Sequence, residues 1–164
     1  MLRIILLGFM GILVLSFSGV VSIPEEVITR LVEEFGQNLK HVSLLDQAEV
    51  EESMRQHYGD YVVPELLEEW IRCPRNAPGR TVSSPWPDRI EVTRIRQVAR
   101  NTYQVDGEIV EVTSTGEADR RAVSLVVEKI SGTWRIRTLL LLPPGKLTDR
   151  GGFCLPIFSM FHYN

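Results

Sequence analysis

The chain has 164 residues, which corresponds to about one domain. Hydrophobic residues make up 44% and charged residues 24%, with 12 Gly, 9 Pro, 2 Cys and a formal net charge of −3. This composition excludes a disordered, collagen-like or disulfide-dense chain, and the length excludes a multi-domain machine.

The first 22 residues predict a targeting segment rather than part of the fold. A single arginine precedes a long apolar run, and small residues follow it up to Ser22. This order is typical of a secretory signal with a cleavage site after Ser22. The alternative is an uncleaved membrane anchor through residues 4–21, which are 18 uncharged residues. Both alternatives place the folded part outside the cytoplasm, either secreted or anchored to the cytoplasmic membrane.

Three amphipathic helices are predicted between residues 24 and 72. The first covers residues 24–42, where apolar residues recur at helical spacing. The second starts at Asp46, which can cap it, and ends at Gly59. After a short extended piece at Tyr61–Val63, Pro64 opens the third helix.

Beyond residue 88 the apolar period changes from helical to alternating, which predicts strands. The connections are too short for parallel crossovers, so the strands form an antiparallel meander. In the first two predicted strands the alternation of apolar and polar residues shifts by one position. Such a shift indicates a bulge, and bulges bend a sheet. The predicted strands are Arg89–Val98, Thr102–Ser114, Arg121–Ile130 and Thr133–Leu142.

The predicted fold class is therefore α+β and cone-like. Three N-terminal helices pack on a strongly curved four-stranded antiparallel meander with one additional short strand. This domain spans residues 23–142, after the targeting segment and before an apolar tail at 143–164.

The element order over residues 24–142 resembles the nuclear transport factor 2-like superfamily, which has the cystatin-like cone. The segments YGDYVVPELLEEW and SSPWPDRIEV resemble a group of uncharacterised exported proteins of Gram-positive bacteria. The superfamily includes isomerase-like and dehydratase-like enzymes as well as non-catalytic adaptors and envelope-complex subunits. The resemblance therefore implies a fold without choosing between an enzyme and a binding module.

Residues that could carry catalysis are few. The sequence has no Gly-rich phosphate loop, HExxH, CxxC or GxSxG motif, and its histidines are far apart, so no metal or cofactor is predicted. The resemblance implies an Asp or His base with a Tyr or Asp donor inside the cone. The weak candidates are His57, Tyr58, Asp60, Tyr61 and Asp106. A structural role is favoured for the tyrosines, packed with their hydroxyls at the surface, and for both aspartates, which suit turns or a bulge.

The proline-rich stretch 73–88 is the most unusual feature of the sequence. Trp86 lies between Pro85 and Pro87, which favours an extended backbone and a ring presented at low entropic cost. One interpretation is a docking loop for an anionic or carbohydrate-like partner. The other, which we favour, is that Trp86 fills the open end of the sheet while an aspartate pairs with an arginine. The residues concerned besides Trp86 are Arg75, Arg80, Asp88 and Arg89.

Cys73 and Cys154 form one disulfide in an oxidising compartment or stay as two thiols. For the apolar tail three roles stay open: it plugs the cone, contributes to a homodimer or is disordered.

Nucleic-acid binding is excluded for an exported, net acidic chain with 3 Lys. The sequence thus predicts a non-catalytic binding or assembly module of the bacterial cell envelope, with an envelope protein or a small apolar or anionic ligand as partner. The alternative is a small acid–base isomerase or dehydratase.

Overall fold

The computed structural model describes residues 23–45 and 49–142 of the chain. The predicted targeting segment, the helix cap at Asp46 and the tail at 143–164 lie outside these residues. Within them, three α-helices precede four β-strands, which confirms the predicted α+β order.

The helices are α1 at Ile23–Asn38, α2 at Val50–Tyr58 and α3 at Pro64–Arg72, with short 3₁₀ segments at Leu39–His41 and Pro74–Asn76. The first and third helices begin at or next to the predicted residues, whereas α2 begins at Val50 rather than at Asp46, with Glu49 at its N-cap position. The first helix was predicted to reach residue 42. It stops earlier because the Val42 backbone is extended and its carbonyl accepts from the Arg80 amide. Pro64 opens α3 as predicted, since the first helical position needs no amide donor.

The four strands form one antiparallel sheet in the order of the sequence. They are β1 at Trp86–Ala99, β2 at Thr102–Thr113, β3 at Gly116–Ile130 and β4 at Thr133–Leu141. Two predicted boundaries were wrong. The first strand begins at Trp86, which pairs with Val112, because a proline is tolerated on an edge strand. The third begins at Gly116 rather than at Arg121, because Gly116 pairs with Thr113.

The sheet is bent by bulges, as the shifts in the alternation of apolar and polar residues predicted. The register between β1 and β2 shifts at three places, one of them between Val92 and Arg94. Opposite this bulge lies Gly107, where a Cβ atom would be 2.7 Å from the Glu91 carbonyl oxygen. Strong curvature brings the strands this close, and only glycine fits there.

The predicted short strand is reduced to one bridge between Val62 and Ile136. The Val63 amide donates to the Ile136 carbonyl at 2.9 Å, and the Ile136 amide donates to the Tyr61 carbonyl at 2.8 Å. Arg135 reinforces this contact by donating to the carbonyls of Gly59 and Val62. The connection between α2 and α3 is therefore attached to the last strand.

The face of the sheet opposite the helices carries ion pairs. Arg120 of β3 donates to Glu91 of β1 at 2.6 Å and to Glu108 of β2 at 3.1 Å, and it also binds Glu117. These carboxylates raise the pKa of Arg120, chiefly through the hydrogen bond to Glu117. Exposed pairs of this kind contribute little stability each, but they neutralise like charges on adjacent strands.

The helices pack on the opposite face, and α1 lies unusually close to β1. A Cβ atom added to Gly36 would be 2.3 Å from the Ile90 nitrogen and 2.8 Å from the Ile90 Cβ. Both residues are buried. No L side chain fits without moving the helix away from the strand.

We predict that Gly36→Ala destabilises the protein by at least about 1 kcal/mol, because the overpacking exceeds the helix-propensity gain of alanine. Urea unfolding followed by circular dichroism measures this change. The matched control is Gln37→Ala, at the adjacent exposed position of the same helix. Equal or greater stability of Gly36→Ala than of the wild type would contradict this packing.

Candidate functional site

An open surface cleft of about 290 Å³ lies beside the start of β1 and is lined by Lys40, His41, Arg80 and Trp86. Two of these residues, Arg80 and Trp86, were singled out from the sequence. Lys40 and His41 were not, because they lie at the end of the predicted first helix and carry no motif. The cleft combines one aromatic wall with three basic side chains.

Backbone hydrogen bonds hold the two sides of the cleft together. The Arg80 amide donates to the Val42 carbonyl at 2.9 Å, and the Leu44 amide donates to the Arg80 carbonyl at 2.8 Å. Gly79 permits this approach, since a Cβ atom there would be 2.9 Å from the Val42 oxygen. The 3₁₀ segment and the proline-rich stretch are thus fixed relative to each other.

On the β1 side of the cleft, an ion pair with Asp88 fixes the Lys40 side chain. Its Nζ atom is 3.1 Å from Oδ1 of Asp88, whose other carboxylate oxygen accepts from Arg89 at 3.3 Å. Partial burial opposes ionisation of Asp88, but the hydrogen bonds and charges of Lys40 and Arg89 outweigh it and lower its pKa. Asp88 was expected in a loop; it lies in β1, because the strand begins earlier than predicted.

The two histidines of the helical half meet behind the cleft. The rings of His41 and His57 stack with their centroids 5.1 Å apart, and Nδ1 of His57 is 3.4 Å from Oδ1 of Asn38. Burial lowers the pKa of His57, and the charge of His41 lowers it further. The neutral form of His57 is therefore favoured in the folded protein.

The space between the helices and the sheet contains an aromatic cluster of Phe35, Tyr58 and Trp70. The Phe35 ring lies 5.2 Å from that of Tyr58 and 6.3 Å from that of Trp70. Among the residues that the structure describes, none of the buried side chains is charged. Apolar packing, rather than an acid–base pair, occupies this part of the interior.

Tyr58 is engaged in this core. Its hydroxyl group donates to the Pro78 carbonyl at 2.6 Å, and burial raises its pKa. The expectation that this hydroxyl lies at the surface was wrong, because the chain beyond α3 folds back over α2. Tyr61 is half-buried, and its hydroxyl oxygen accepts from Asn38 at 3.3 Å.

The two aspartate candidates lie elsewhere. Asp60 is exposed after the end of α2. Asp106 lies on the face of β2 away from the helices, where it accepts from Ser124 at 2.8 Å and from Gln104 at 3.2 Å. The structure therefore does not bring the five catalytic candidates together. Among the described residues, no group of three or more His, Cys, Asp or Glu side chains is placed to hold a metal ion.

The remaining arginine candidates lie outside the cleft. Arg75 is exposed in the second 3₁₀ segment. Arg89 lies on β1, where its guanidinium binds Glu91 at 2.6 Å as well as Asp88. Of the predicted partner-binding residues, Arg80 and Trp86 thus line the cleft, and Asp88 supports it.

Cys73, which caps the end of α3, is disulfide-bonded rather than free. Cys154, the other cysteine of the chain, lies outside the described residues. The pairing of Cys73 with Cys154 stays a prediction, as do the homodimer and the role of the tail. No helix in the described ranges is both long and apolar enough to cross a bilayer.

No protein-family model and no curated protein matches the sequence. Among solved structures, the chain is similar to Rd1NTF2_05, a designed protein of the nuclear transport factor 2-like type, in a variant with five substitutions. The two are 14% identical over 71% of this chain and 98% of that chain, with a TM-score of 0.38. Membership of the nuclear transport factor 2-like superfamily therefore stays a prediction from the element order.

We predict that Tyr58→Phe costs about 1–3 kcal/mol, because the Pro78 carbonyl loses its donor in a buried environment. Tyr61→Phe is the matched control, since the Tyr61 hydroxyl is only half-buried and makes a longer hydrogen bond. Urea unfolding of the two variants gives the comparison. An equal loss in both would show that the Tyr58 hydroxyl has no special structural role.

A second prediction concerns the histidine pair. The pKa of His57 lies below its ordinary value of 6.5, and His41→Asn raises it only part of the way because burial remains the larger cause. Since unfolded His57 binds protons more readily, this residue makes the fold less stable as the pH falls through 6.5. Nuclear magnetic resonance titration of the His57 imidazole protons, in the wild type and in His41→Asn, measures the two pKa values from which the loss of stability follows. A His57 pKa at or above the ordinary value would refute both statements.

Proposed function

We propose that this chain is a non-catalytic binding or assembly module on a nuclear transport factor 2-like scaffold, exported to or anchored in a bacterial cell envelope. The observation that carries this proposal is the contrast between its interior and its surface. The described interior is packed with Phe35, Tyr58 and Trp70, whereas basic and aromatic side chains converge in an open cleft.

The geometry supports binding over acid–base catalysis. An isomerase or dehydratase needs an acid or base beside an apolar wall, with a second polar group near the substrate atom. Here Tyr58 is engaged in a structural hydrogen bond, and Asp106 lies on the far face of the sheet. Asp60 is exposed to solvent. A cleft that presents Trp86 and fixed cations is instead typical of a recognition surface.

The extracytoplasmic location is supported by residues 1–22, with their basic start, apolar run and small residues before the domain. The membrane is contacted only through residues 4–21 in the anchored alternative. The partner is an envelope protein or a small ligand with anionic character, because the cleft is basic while the whole chain is net acidic.

Export is tested with the full chain carrying a C-terminal epitope tag in a Gram-positive host. We expect protease to remove the tag from intact protoplasts, or the tagged protein to be in the medium, while a cytosolic marker stays protected. The matched control lacks residues 2–22 and is expected to retain its tag. Protection of the full chain until lysis would contradict the proposed location. The molecular mass of the exported protein distinguishes cleavage after Ser22 from anchoring by an uncleaved N-terminal segment.

A further inference from the structure

We propose that the cleft of Lys40, His41, Arg80 and Trp86 binds a phosphate ester of a small sugar or polyol. This inference rests on the proposed binding function and names the class of ligand. It concerns residues that are assembled from three parts of the chain: the 3₁₀ segment after α1, the stretch before β1, and the first residue of β1.

The buried Nε atom of Arg80 has no hydrogen-bond partner; Arg121, the other described arginine with such an atom, is paired with Glu111 at 3.0 Å. Arg55, Arg120 and Arg137 each bind a carboxylate directly. Hydrogen bonds to Val42 and Leu44 fix the backbone of Arg80, and no ion pair with a described residue occupies its guanidinium group. Its charge is thus available to an incoming anion.

Lys40 supplies a second cation that is already oriented. Asp88 holds its Nζ atom at 3.1 Å and offsets part of its charge, so the cleft keeps a net positive charge through Arg80. A lysine ammonium and an arginine guanidinium approaching from different elements suit an anion with oxygens in several directions. Phosphate has this shape and charge, and Arg and Lys are the residues that bind it most often.

The open cleft leaves room for more than a phosphate ion. A volume of about 290 Å³ exceeds what a free phosphate ion occupies and is near the lower range of small-molecule sites. Trp86 provides a half-buried aromatic wall. A sugar or polyol fits this composition, because its carbon face can lie on the indole while its hydroxyl groups meet water and the basic side chains.

The backbone fixes this arrangement before any ligand binds. Arg80 is paired on both sides with Val42 and Leu44, and Trp86 is paired with Val112 in the sheet. A site whose groups are already in place loses less conformational entropy on binding. The inference therefore needs no loop closure.

The test uses the full chain, ¹⁵N-labelled and purified in an uncharged, sugar-free polyoxyethylene detergent. The probes are glycerol 3-phosphate, bis(glycerol) phosphate, inorganic phosphate and glycerol. The chain has three tryptophans, so the indole signals of Trp70, in the core, and Trp134, on β4, serve as internal references. We expect glycerol 3-phosphate or the diester to shift the Trp86 indole signal saturably in the millimolar range, with no shift from glycerol alone.

Variants then test which residues bind the anion. Arg80→Gln is expected to weaken binding by about tenfold or more, which corresponds to about 1.4 kcal/mol. Lys40→Gln is expected to weaken it as well. Arg75→Gln, an exposed arginine of the same stretch outside the cleft, is the matched control and should bind as the wild type does.

The outcomes separate the possible sources of the ligand. Preference for the monoester supports a free phosphorylated metabolite, and preference for the diester supports a repeat unit of a phosphate-containing polymer. Equal shifts by glycerol and its phosphate, unchanged affinity in Arg80→Gln with native amide spectra, or no Trp86 shift with any phosphate would overturn the inference. The protease experiment is unaffected by these results, so the two proposals fail separately.

Discussion

The close approach of α1 to β1 determines where the helical half of this domain lies. At Gly36 the helix axis comes so near the strand that a methyl group would overlap the Ile90 backbone. The 3₁₀ segment that follows α1 is consequently carried to the beginning of β1, where Lys40 meets Asp88. A glycine in the last turn of α1 thus positions a surface cation about one turn further along the chain.

The core and the cleft are connected through the same stretch of backbone. Tyr58, buried among Phe35 and Trp70, binds the carbonyl of Pro78, and two residues later Arg80 pairs with Val42. The stretch that carries the cleft is therefore attached to both the aromatic cluster and the 3₁₀ segment. Such double attachment explains how the irregular part of the proline-rich stretch, between its 3₁₀ segment and β1, can present side chains in a fixed arrangement.

Local sequence signals predicted much of the architecture. Pro64 opens a helix because of its own covalent geometry, and the alternation in residues 102–113 follows from one buried face. Contacts between distant segments could not be obtained in this way. The end of α1 depends on pairing between Val42 and Arg80, which no local pattern contains.

The candidate site likewise combines residues that local sequence patterns indicated with residues that only the tertiary fold brings together. Trp86 was a candidate because prolines flank it, and Arg80 was a candidate because it lies in the same proline-rich stretch. Lys40 and His41 look like ordinary polar residues at a helix end, and only the tertiary fold brings them to Trp86. The buried hydroxyl of Tyr58 was likewise unpredictable, because its acceptor lies 20 residues away on backbone that any sequence would offer.

The attachment of the α2–α3 connection to β4 has a consequence for how the chain acquires its fold. The Tyr61 carbonyl and the Val63 amide find their partners at Ile136, and the Gly59 carbonyl accepts from Arg135. The ribosome makes the helices first, yet this connection stays without its partners until the last strand has been synthesised. This contact therefore forms only after β4 has been made, and a chain interrupted before residue 136 lacks the hydrogen bonds that attach the α2–α3 connection to the sheet.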